Sequence, residues 1–488
     1  MHMHRRIALA TATAAALTGG LLTFVASPAS AADSAHVAKA DFNGDGIGDI
    51  ATSAPTAYVS GHKGAGAVVV LYGSSSGVTS SKHKTLSQDS PNVPGSAEAG
   101  DGFGSETAYG DFNNDGYDDL AVGTPYEKVG TDTNGGGVTI LWGSSSGLTG
   151  KSTGLADPSP GTHDFWGKDL AAGDFDGDGK ADLVIGSNSS TLDLYRGGLK
   201  SHGTINPPIE PGTNDYPYGP LSLTAGDVNG DGLTDLVVDG YETNTAMGWN
   251  TNYWLPGSTT DGLSGSTAKA LKPGIITAIG DINKDGYADI VSGAGWDNVT
   301  DDGTPIPDSS NGGRVNITYG SSEGPASTTA ISQNSGNVPG TNEKGDGFGW
   351  DLDLGDVNGD GYQDLVVSTP DEDISGISNT GQVTVLYGSA KGVNTTSGAQ
   401  AFAESTAGVP GTAEKNDLFG ADVKLDDVTG DGKADLVIGS YENDGNGGIT
   451  FLRSNGSKIT TSGAGIISPT SVSINTTGAP QFSSNFAD

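Results

Sequence analysis

Short apolar runs separated by glycine-rich turns recur along this chain, and they predict β-strands. Typical runs are Leu120-Ala121-Val122 and Leu183-Val184-Ile185, which are closed by glycine. Runs this short, β-branched and bounded by Gly or Pro are typical of buried strands rather than helices. Each is followed by a loop, by an alternating strand such as Val138 to Trp142, and by a more polar segment such as Thr85 to Ser87. With a short alternating segment before each run, the pattern predicts four antiparallel strands per unit.

A nine-residue motif precedes each apolar run and sets the period of the units. It reads D-x-[N/D/T]-x-D-G-x-x-D and occurs seven times, with starts 53 to 75 residues apart. The copies span residues 41–49, 111–119, 174–182, 227–235, 281–289, 356–364 and 427–435. Seven such units predict an all-β fold, a seven-bladed β-propeller of four-stranded antiparallel blades. A solenoid is the alternative, but it requires capping repeats, and the sequence shows none.

The C-terminal segment is expected to complete the propeller. Residues Ile467 to Asp488 are predicted to supply the outer strand of the seventh blade. The last part of this segment, residues 481–488, resembles the start of another unit. We therefore expect it to lie against the first blade and help to close the ring.

The nine-residue motif has the chemistry of a calcium-binding loop. Calcium takes six to eight hard oxygen ligands; positions 1, 3 and 5 supply side-chain oxygens, and position 7 offers a backbone carbonyl. Glycine at position 6 permits a positive φ, and aspartate at position 9 closes the site. The predicted ligands are Asp41, Asn43, Asp45, Asp49, Asp111, Asn113, Asp115, Asp119, Asp174, Asp176, Asp178, Asp182, Asp227, Asn229, Asp231, Asp235, Asp281, Asn283, Asp285, Asp289, Asp356, Asn358, Asp360, Asp364, Asp427, Thr429, Asp431 and Asp435. They predict up to seven calcium ions.

Two other interpretations of the motif are open. EF-hand and dockerin-like loops begin in the same way, but they take their last acid at position 12 and are flanked by helices. The residues could instead form hairpin turns without an ion. Thr429 takes the place of Asn or Asp in the last copy, which is therefore the weakest predicted site. The copy at Asp174 has four carboxylates and ranks among the strongest.

Residues 1–31 are predicted to be a secretory signal, and residues 32–488 the propeller. Arg5 and Arg6 precede an apolar stretch, and Ala29-Ser30-Ala31 offers a cleavage site. The general secretory route is favoured over twin-arginine export, and a secreted, monomeric protein without a membrane span is expected. The formal net charge is −36, so the surface should repel phosphate backbones. Nucleic acid is excluded as the expected partner.

The sequence shows no supported catalytic motif, and the protein is predicted not to be an enzyme. Two segments match G-x-S-x-G, residues 73–77 and 143–147. Both fall after the third strand of a unit, where equivalent units carry Glu323 or Lys391, so these residues are interpreted as turns. The histidines after the signal share no position in the repeat and are interpreted as surface or loop residues: His36, His62, His83, His163 and His202.

The motif and its flanks resemble the FG-GAP repeats of integrin α-subunit propellers and their bacterial relatives. An aromatic-glycine step precedes the first strand of several units, and Gly123-Thr124-Pro125 follows an apolar run. The steps are Phe103-Gly104, Trp166-Gly167, Tyr218-Gly219, Phe348-Gly349 and Phe419-Gly420. The resemblance implies a seven-bladed propeller with calcium between the first and second strands. Unit five lacks the step, and units three and four are short.

Binding is the expected class of function. Because strand direction alternates, the longest loops should lie on the face opposite the calcium loops. Loops on a rigid scaffold commonly carry recognition, so an extracellular protein or glycan is expected to bind there. The two hypotheses are an adhesion or protein-interaction module and a carbohydrate-binding or cell-wall-associated accessory protein. A hydrolase is the least supported alternative.

Overall fold

The chain forms seven antiparallel sheets that are arranged as blades in a ring. The computed structural model describes residues 39–211, 219–242, 249–300, 303–440 and 445–487. Within each blade the strands follow chain order from the centre of the ring outward, and the innermost strands of successive blades pack against each other. The predicted all-β, seven-bladed propeller is therefore confirmed. The predicted signal, residues 1–31, lies outside the described residues.

The strands of the blades, ordered from the innermost strand outward, have similar lengths. Blade one contains Ile50–Ala54, Ala67–Leu71 and His83–Leu86 outside its innermost position. Blades two and three contain Thr107–Gly110, Asp119–Gly123, Val138–Leu141 and Ser152–Leu155, then Asp169–Gly173, Asp182–Gly186, Leu192–Arg196 and Ser201–Ile205. Blades four and five contain Ser222–Gly226, Asp235–Tyr241, Asn250–Leu255 and Lys269–Ala270, then Ile276–Gly280, Asp289–Ala294, Arg314–Thr318 and Thr328–Ile331. Blades six and seven contain Leu352–Gly355, Asp364–Thr369, Gln382–Leu386 and Gln400–Phe402, then Asp422–Asp426, Asp435–Gly439, Ile449–Leu452 and Gly465–Ile467.

Short elements also lie outside the main strands of the blades. A two-stranded hairpin, Gly257–Ser258 with Gly262–Leu263, precedes the outer strand of blade four. A 3₁₀ turn at Gly265–Thr267 follows the hairpin, and another at Pro469–Val472 follows the last strand of blade seven.

The second strands carry continuous apolar runs because both faces of each blade are covered. In blade two, Leu120 and Val122 join an apolar cluster shared with blade one, whereas Ala121 joins a cluster shared with blade three. Successive side chains of a strand point to opposite faces, so one run supplies two cores. Seven such clusters lie between neighbouring blades of the described chain. The outer strands are more exposed, which explains their polar sequences.

The two ends of the described chain together form the innermost strand of blade one. Ala40 pairs with Asp49, and Phe486 pairs with Thr52. The Ser53 N–H donates to the Asn485 carbonyl at 3.0 Å, and the Ala487 N–H donates to the Ala51 carbonyl at 3.0 Å. The C-terminal segment therefore closes the ring, as expected.

The structure corrects the predicted extent of the outer strand of blade seven. That strand is Gly465–Ile467, so only the first residue of the predicted segment Ile467 to Asp488 belongs to it. The segment then turns inward across the end of the blade, and its final residues serve blade one. The expectation was wrong because three residues are enough to complete the ladder with Ile449–Leu452.

Phe482-Ser483 replaces the aromatic-glycine step for blade one. Phe482 is fully buried, and Ser483 has a left-handed φ of +73°. The Ser483 N–H donates to the Ser53 carbonyl at 3.0 Å, just as the Gly104 N–H donates to the Gly123 carbonyl at 2.9 Å in blade two.

Blades four and five make this contact without an aromatic-glycine step. In blade four the donor to the second strand is Leu221, at 2.7 Å from the Asp239 carbonyl, so the predicted step at Gly219 falls two residues too early. Tyr218 lies outside the described residues. In blade five the donor is Ile275, at 3.0 Å from the Gly293 carbonyl.

Candidate metal centres and loop faces

All seven nine-residue loops lie at the same place in the fold, between the innermost and the second strand of a blade. Asp41 follows Ala40 of blade one, and Asp49 directly precedes the second strand. In the other six blades the ninth residue is the first residue of the second strand. Because these strands leave the same end of every blade, the seven loops form a circle on one face of the ring.

The first aspartate of each loop organises the turn. The Oδ1 atom of Asp41 accepts the N–H of Asp45 at 3.1 Å, and its Oδ2 atom accepts the N–H of Gly46 at 2.8 Å. The remaining six loops repeat both bonds. The sixth residue is glycine throughout, with φ between +80° and +91°, a region that side chains with a Cβ disfavour.

The third and fifth side chains fold over the same turn. In blade one the Asn43 Oδ1 atom accepts the N–H of Asp45 at 2.9 Å, and the Asp45 Oδ1 atom accepts the N–H of Ile47 at 3.0 Å. Oxygens from positions 1, 3 and 5 are thereby held around one short stretch of backbone. Hard oxygen donors in this arrangement are the ligands that calcium prefers.

The ninth aspartate of each loop is the most buried of the predicted ligands. All seven are between 0 and 1% exposed. In blade one, Asp49 accepts the N–H of Gly73 at 2.9 Å and the N–H of Phe42 at 3.0 Å. Gly73 begins the turn between the third and fourth strands, so this aspartate ties two turns of the blade together. The role of Gly73 could not be found by pattern, because the two residues are 24 positions apart.

Burial makes the ninth carboxylates hard to ionise. The pKa of Asp49 is raised to about 8, chiefly because burial removes the carboxylate from water and further because Asp41 and Asp45 are nearby. The pKa values of Asp119 and Asp364 are likewise raised to about 8, and those of Asp182, Asp235 and Asp289 to about 7. The pKa of Asp435 is raised to about 6.

The raised pKa values predict that the calcium-free protein is more stable at pH 5 than at pH 8. The folded-state pKa lies above the unfolded value near 3.8, so the folded chain binds more protons in this range. Stability therefore falls as pH rises from about 4 to about 8. Thermal melts in EGTA at pH 5 and pH 8 measure the effect. Excess calcium should weaken it or reverse it, because the ion replaces the protons; a midpoint in EGTA that rises with pH contradicts the prediction.

The loop at Asp174 gathers the densest set of carboxylates. Oxygens of Asp174, Asp176 and Asp182 lie within 4.8 Å of one another. The Oδ2 atom of Asp182 is buried without a hydrogen-bond partner. Lys180 contacts Asp178 at 2.8 Å, and Arg196 lies 3.6 Å from Asp176. The buried, unpartnered oxygen is what a bound cation would satisfy.

Neighbouring loops are joined by backbone hydrogen bonds. The N–H of the eighth residue donates to the carbonyl of the first residue in the preceding blade's loop. Examples are Ala434 to Asp356 at 2.9 Å and Gly48 to Asp427 at 3.0 Å, the second of which crosses the closure between blades seven and one. The same bond links blade one to two, three to four, and five to six. The loops therefore form a nearly continuous belt.

Sequence comparison assigns the repeats. A profile described as "FG-GAP repeat" matches residues 35–71, 103–141 and 348–386, and one described as "FG-GAP-like repeat" matches residues 174–238. The chain is an FG-GAP repeat protein. The profiles match stretches in blades one, two, three, four and six, and the structure shows that the remaining blades share the architecture.

Two kinds of curated relative are similar to this FG-GAP propeller. Phosphatidylinositol-glycan-specific phospholipase D of Rattus norvegicus is 34% identical over 169 residues, which cover 35% of this chain and 19% of the relative. Integrin alpha-PS5 of Drosophila melanogaster is 35% identical over 180 residues, covering 35% and 16%. Integrin alpha-6 of Gallus gallus is 31% identical over 161 residues, covering 33% and 14%. The chain thus spans less than a fifth of the length of these relatives.

The opposite face of the FG-GAP propeller carries the longer loops. The Phe103 N–H donates to the Ala65 carbonyl at 3.0 Å, which joins the loop after a second strand to the loop that enters the next blade. Among the described residues, six large hydrophobic side chains are exposed. Five of them lie in loops of this face: Tyr126, Val129, Val299, Trp350 and Ile377. Ile466, the sixth, lies on the outer strand of blade seven.

The segments that match G-x-S-x-G lie in tight turns between third and fourth strands. The Ser74 hydroxyl donates to the Gly77 carbonyl at 2.8 Å, and the Ser144 hydroxyl donates to the Gly147 carbonyl at 2.8 Å. Ser321 and Ser389 make the same bond in other blades. These serines stabilise turns. In the described part of the chain, no helix is long and apolar enough to cross a membrane.

Proposed function

We propose that this chain is an extracellular calcium-binding propeller that acts as a binding or adhesion module, with calcium in a structural role. The observation that carries this is the seven-fold recurrence of one loop geometry, in which the first, third and fifth side chains surround a turn closed by a buried ninth aspartate. The N-terminal segment 1–31 has the pattern of a secretory signal. The relatives include integrin α-chains.

The ions would be held by the side chains of positions 1, 3, 5 and 9 and by the carbonyl of position 7. Repulsion among the carboxylates of one loop is strong where they are buried, since the local dielectric constant is low. Calcium would offset this repulsion. Because the loops are joined from blade to blade, an ordered loop would also hold its neighbour, and the ions would stabilise the ring as a whole.

Calcium stoichiometry tests the proposal. Titration of EGTA-treated, dialysed protein by isothermal calorimetry should find up to seven ions per chain, with the loop at Asp427 the weakest. Asp174→Asn should reduce the number by one, because it removes a ligand from the densest loop. Asp261→Asn, in an exposed turn of blade four, is the matched control and should leave the number unchanged. Absence of calcium binding at millimolar concentration would refute the metal assignment.

A partner would bind the face opposite the calcium loops. This face has the long loops and most of the exposed large apolar side chains in the described chain. Exposed aromatic and aliphatic groups on loops are common anchors in binding surfaces. On the calcium face, by contrast, the loops are occupied by their own hydrogen bonds. The alternative of a carbohydrate-binding or cell-wall-associated role uses the same face, and the partner's chemistry distinguishes the two.

Binding measurements on calcium-loaded protein test the partner hypothesis. A glycan array and immobilised extracellular matrix proteins should identify a ligand whose binding is reduced at least about tenfold by Tyr126→Ser or Trp350→Ser, since buried aromatic anchors commonly contribute about 2 kcal/mol or more. Ile466→Ser is the control, because Ile466 is equally exposed but lies on the edge of blade seven. If binding to an identified ligand is unaffected by changes across the long-loop face, that face is not the binding surface.

A further inference from the structure

A second group of metal-ligating side chains lies between blades two and three, away from the seven loops. It comprises Asp157 and His163, from the segment that enters blade three, and Asp193, from the third strand of that blade. One donor atom from each residue lies within 4.8 Å of the other two. Their placement depends on the tertiary structure, because the three residues share no spacing in the repeat.

The side chains of this group are largely removed from solvent. Those of Asp157, His163 and Asp193 are 7%, 8% and 10% exposed. The His163 Nε2 atom is 3.5 Å from the Asp157 carboxylate, at the limit of a hydrogen bond. Its Nδ1 atom is buried and has no hydrogen-bond partner. An imidazole this buried, with one nitrogen unpartnered and the other weakly paired, is an incomplete ion pair.

Surrounding groups fix the two carboxylates in place. The Trp166 indole N–H donates to Asp193 Oδ2 at 2.9 Å, and His202 Nε2 lies 2.8 Å from Asp193 Oδ1. The Ser159 N–H donates to Asp157 Oδ1 at 2.8 Å. Donors that hold ligating carboxylates in this way are a regular part of protein metal sites. Trp166 also belongs to the aromatic-glycine step of blade three, so the arrangement is anchored to the core.

We propose that Asp157, His163 and Asp193 form a binding site for a divalent transition-metal ion of the zinc type, chemically distinct from the seven calcium loops. Nitrogen and oxygen donors bind zinc at about 2.0–2.2 Å, so three donors within 4.8 Å need only small side-chain rotations to share an ion. Imidazole favours zinc and its neighbours over calcium, which binds oxygen. Water fills the remaining coordination, and His202 is a positioning residue for Asp193.

Cobalt spectroscopy tests the site separately from the calcium loops. The probe is Co²⁺ added to protein that was purified without a histidine tag and saturated with calcium. An ion with few ligands, including a histidine nitrogen, should give intense visible d–d absorption that zinc abolishes by competition. Cobalt in the oxygen-rich loops would be nearly octahedral and only weakly coloured. An intense signal at about one ion per chain is the expected result.

Variants decide whether these residues form the site. His163→Gln and Asp157→Asn should each remove the intense absorption and weaken zinc binding at least about 100-fold, since loss of a group that merely supports a ligand already costs about 10–100-fold. Two variants are used so that misfolding of one does not decide the outcome. His83→Gln, on the outer strand of blade one, should leave the spectrum unchanged. Absence of intense absorption in the wild-type protein, or its survival in both variants, overturns the proposal.

Discussion

Chelation of calcium should lower the midpoint of thermal unfolding by about 10–20 °C. Extracellular calcium sites bind with dissociation constants of about 10⁻⁴–10⁻³ M, and a tenfold excess over such a constant stabilises by roughly 1.4 kcal/mol per site. Seven sites would contribute about 10 kcal/mol. Extending the size dependence of thermal midpoints to a chain this long gives about 1–2 °C per kcal/mol. The measurement is differential scanning calorimetry in millimolar calcium and in excess EGTA.

The calorimetry includes its own control, because adding calcium back to the EGTA sample should restore the original midpoint. Magnesium at the same concentration should restore less, since it requires near-octahedral geometry and gives up its water reluctantly. An unchanged midpoint in EGTA would show that the loops are hairpin turns that need no ion. A shift that is complete after one variant loop is disabled would show that the belt between loops, rather than each ion, dominates.

Loss of the C-terminal closure is expected to have the second large effect. Phe482→Ala should lower the free energy of unfolding by about 3–5 kcal/mol, because it empties a fully buried position in the cluster between blades seven and one. Deletion of residues 481–488 should be more severe, since it removes most of the innermost strand of blade one and exposes an open sheet edge. Urea denaturation in saturating calcium, followed by tryptophan fluorescence, measures both.

Ile466→Ala provides the matched control for the closure. Ile466 is a large apolar residue of the same C-terminal region, but it is 49% exposed. Its substitution should change the free energy of unfolding by no more than about 0.5 kcal/mol. If Phe482→Ala is as mild as this control, the C-terminal segment does not close the ring in solution.

The repeated parts of the structure can be predicted because each unit carries its own local signals. Leu120-Ala121-Val122 is apolar without interruption, which marks a strand covered on both faces. Gly116, with φ of +87°, marks the turn before it. Seven repetitions of such signals establish the blade count and the positions of the loops. Where a unit departs from the pattern, prediction is weaker: in blade four the contact to the second strand is made by Leu221 and not at Gly219.

Other features depend on residues that are distant in sequence. The Asp49 contact with Gly73, and the bond from Gly48 to Asp427, join turns that no local pattern relates. The repeat predicts a surface or loop position for His163, because histidines do not recur in it, yet the side chain is buried beside Asp157. Single residues of this kind leave no periodic signal, and only the packing of one blade on the next brings them together.

By itself, the sequence determined the all-β propeller, its seven blades and the loops that carry the oxygen ligands, because hydrophobic periodicity and turn chemistry act over a few residues. Tertiary structure alone decided how the two chain ends combine in blade one, how the loops form a belt, and where buried carboxylates and imidazoles meet. These depend on the closing of a ring, in which the pairing of Phe486 with Thr52 is possible only after every blade between them has found its place.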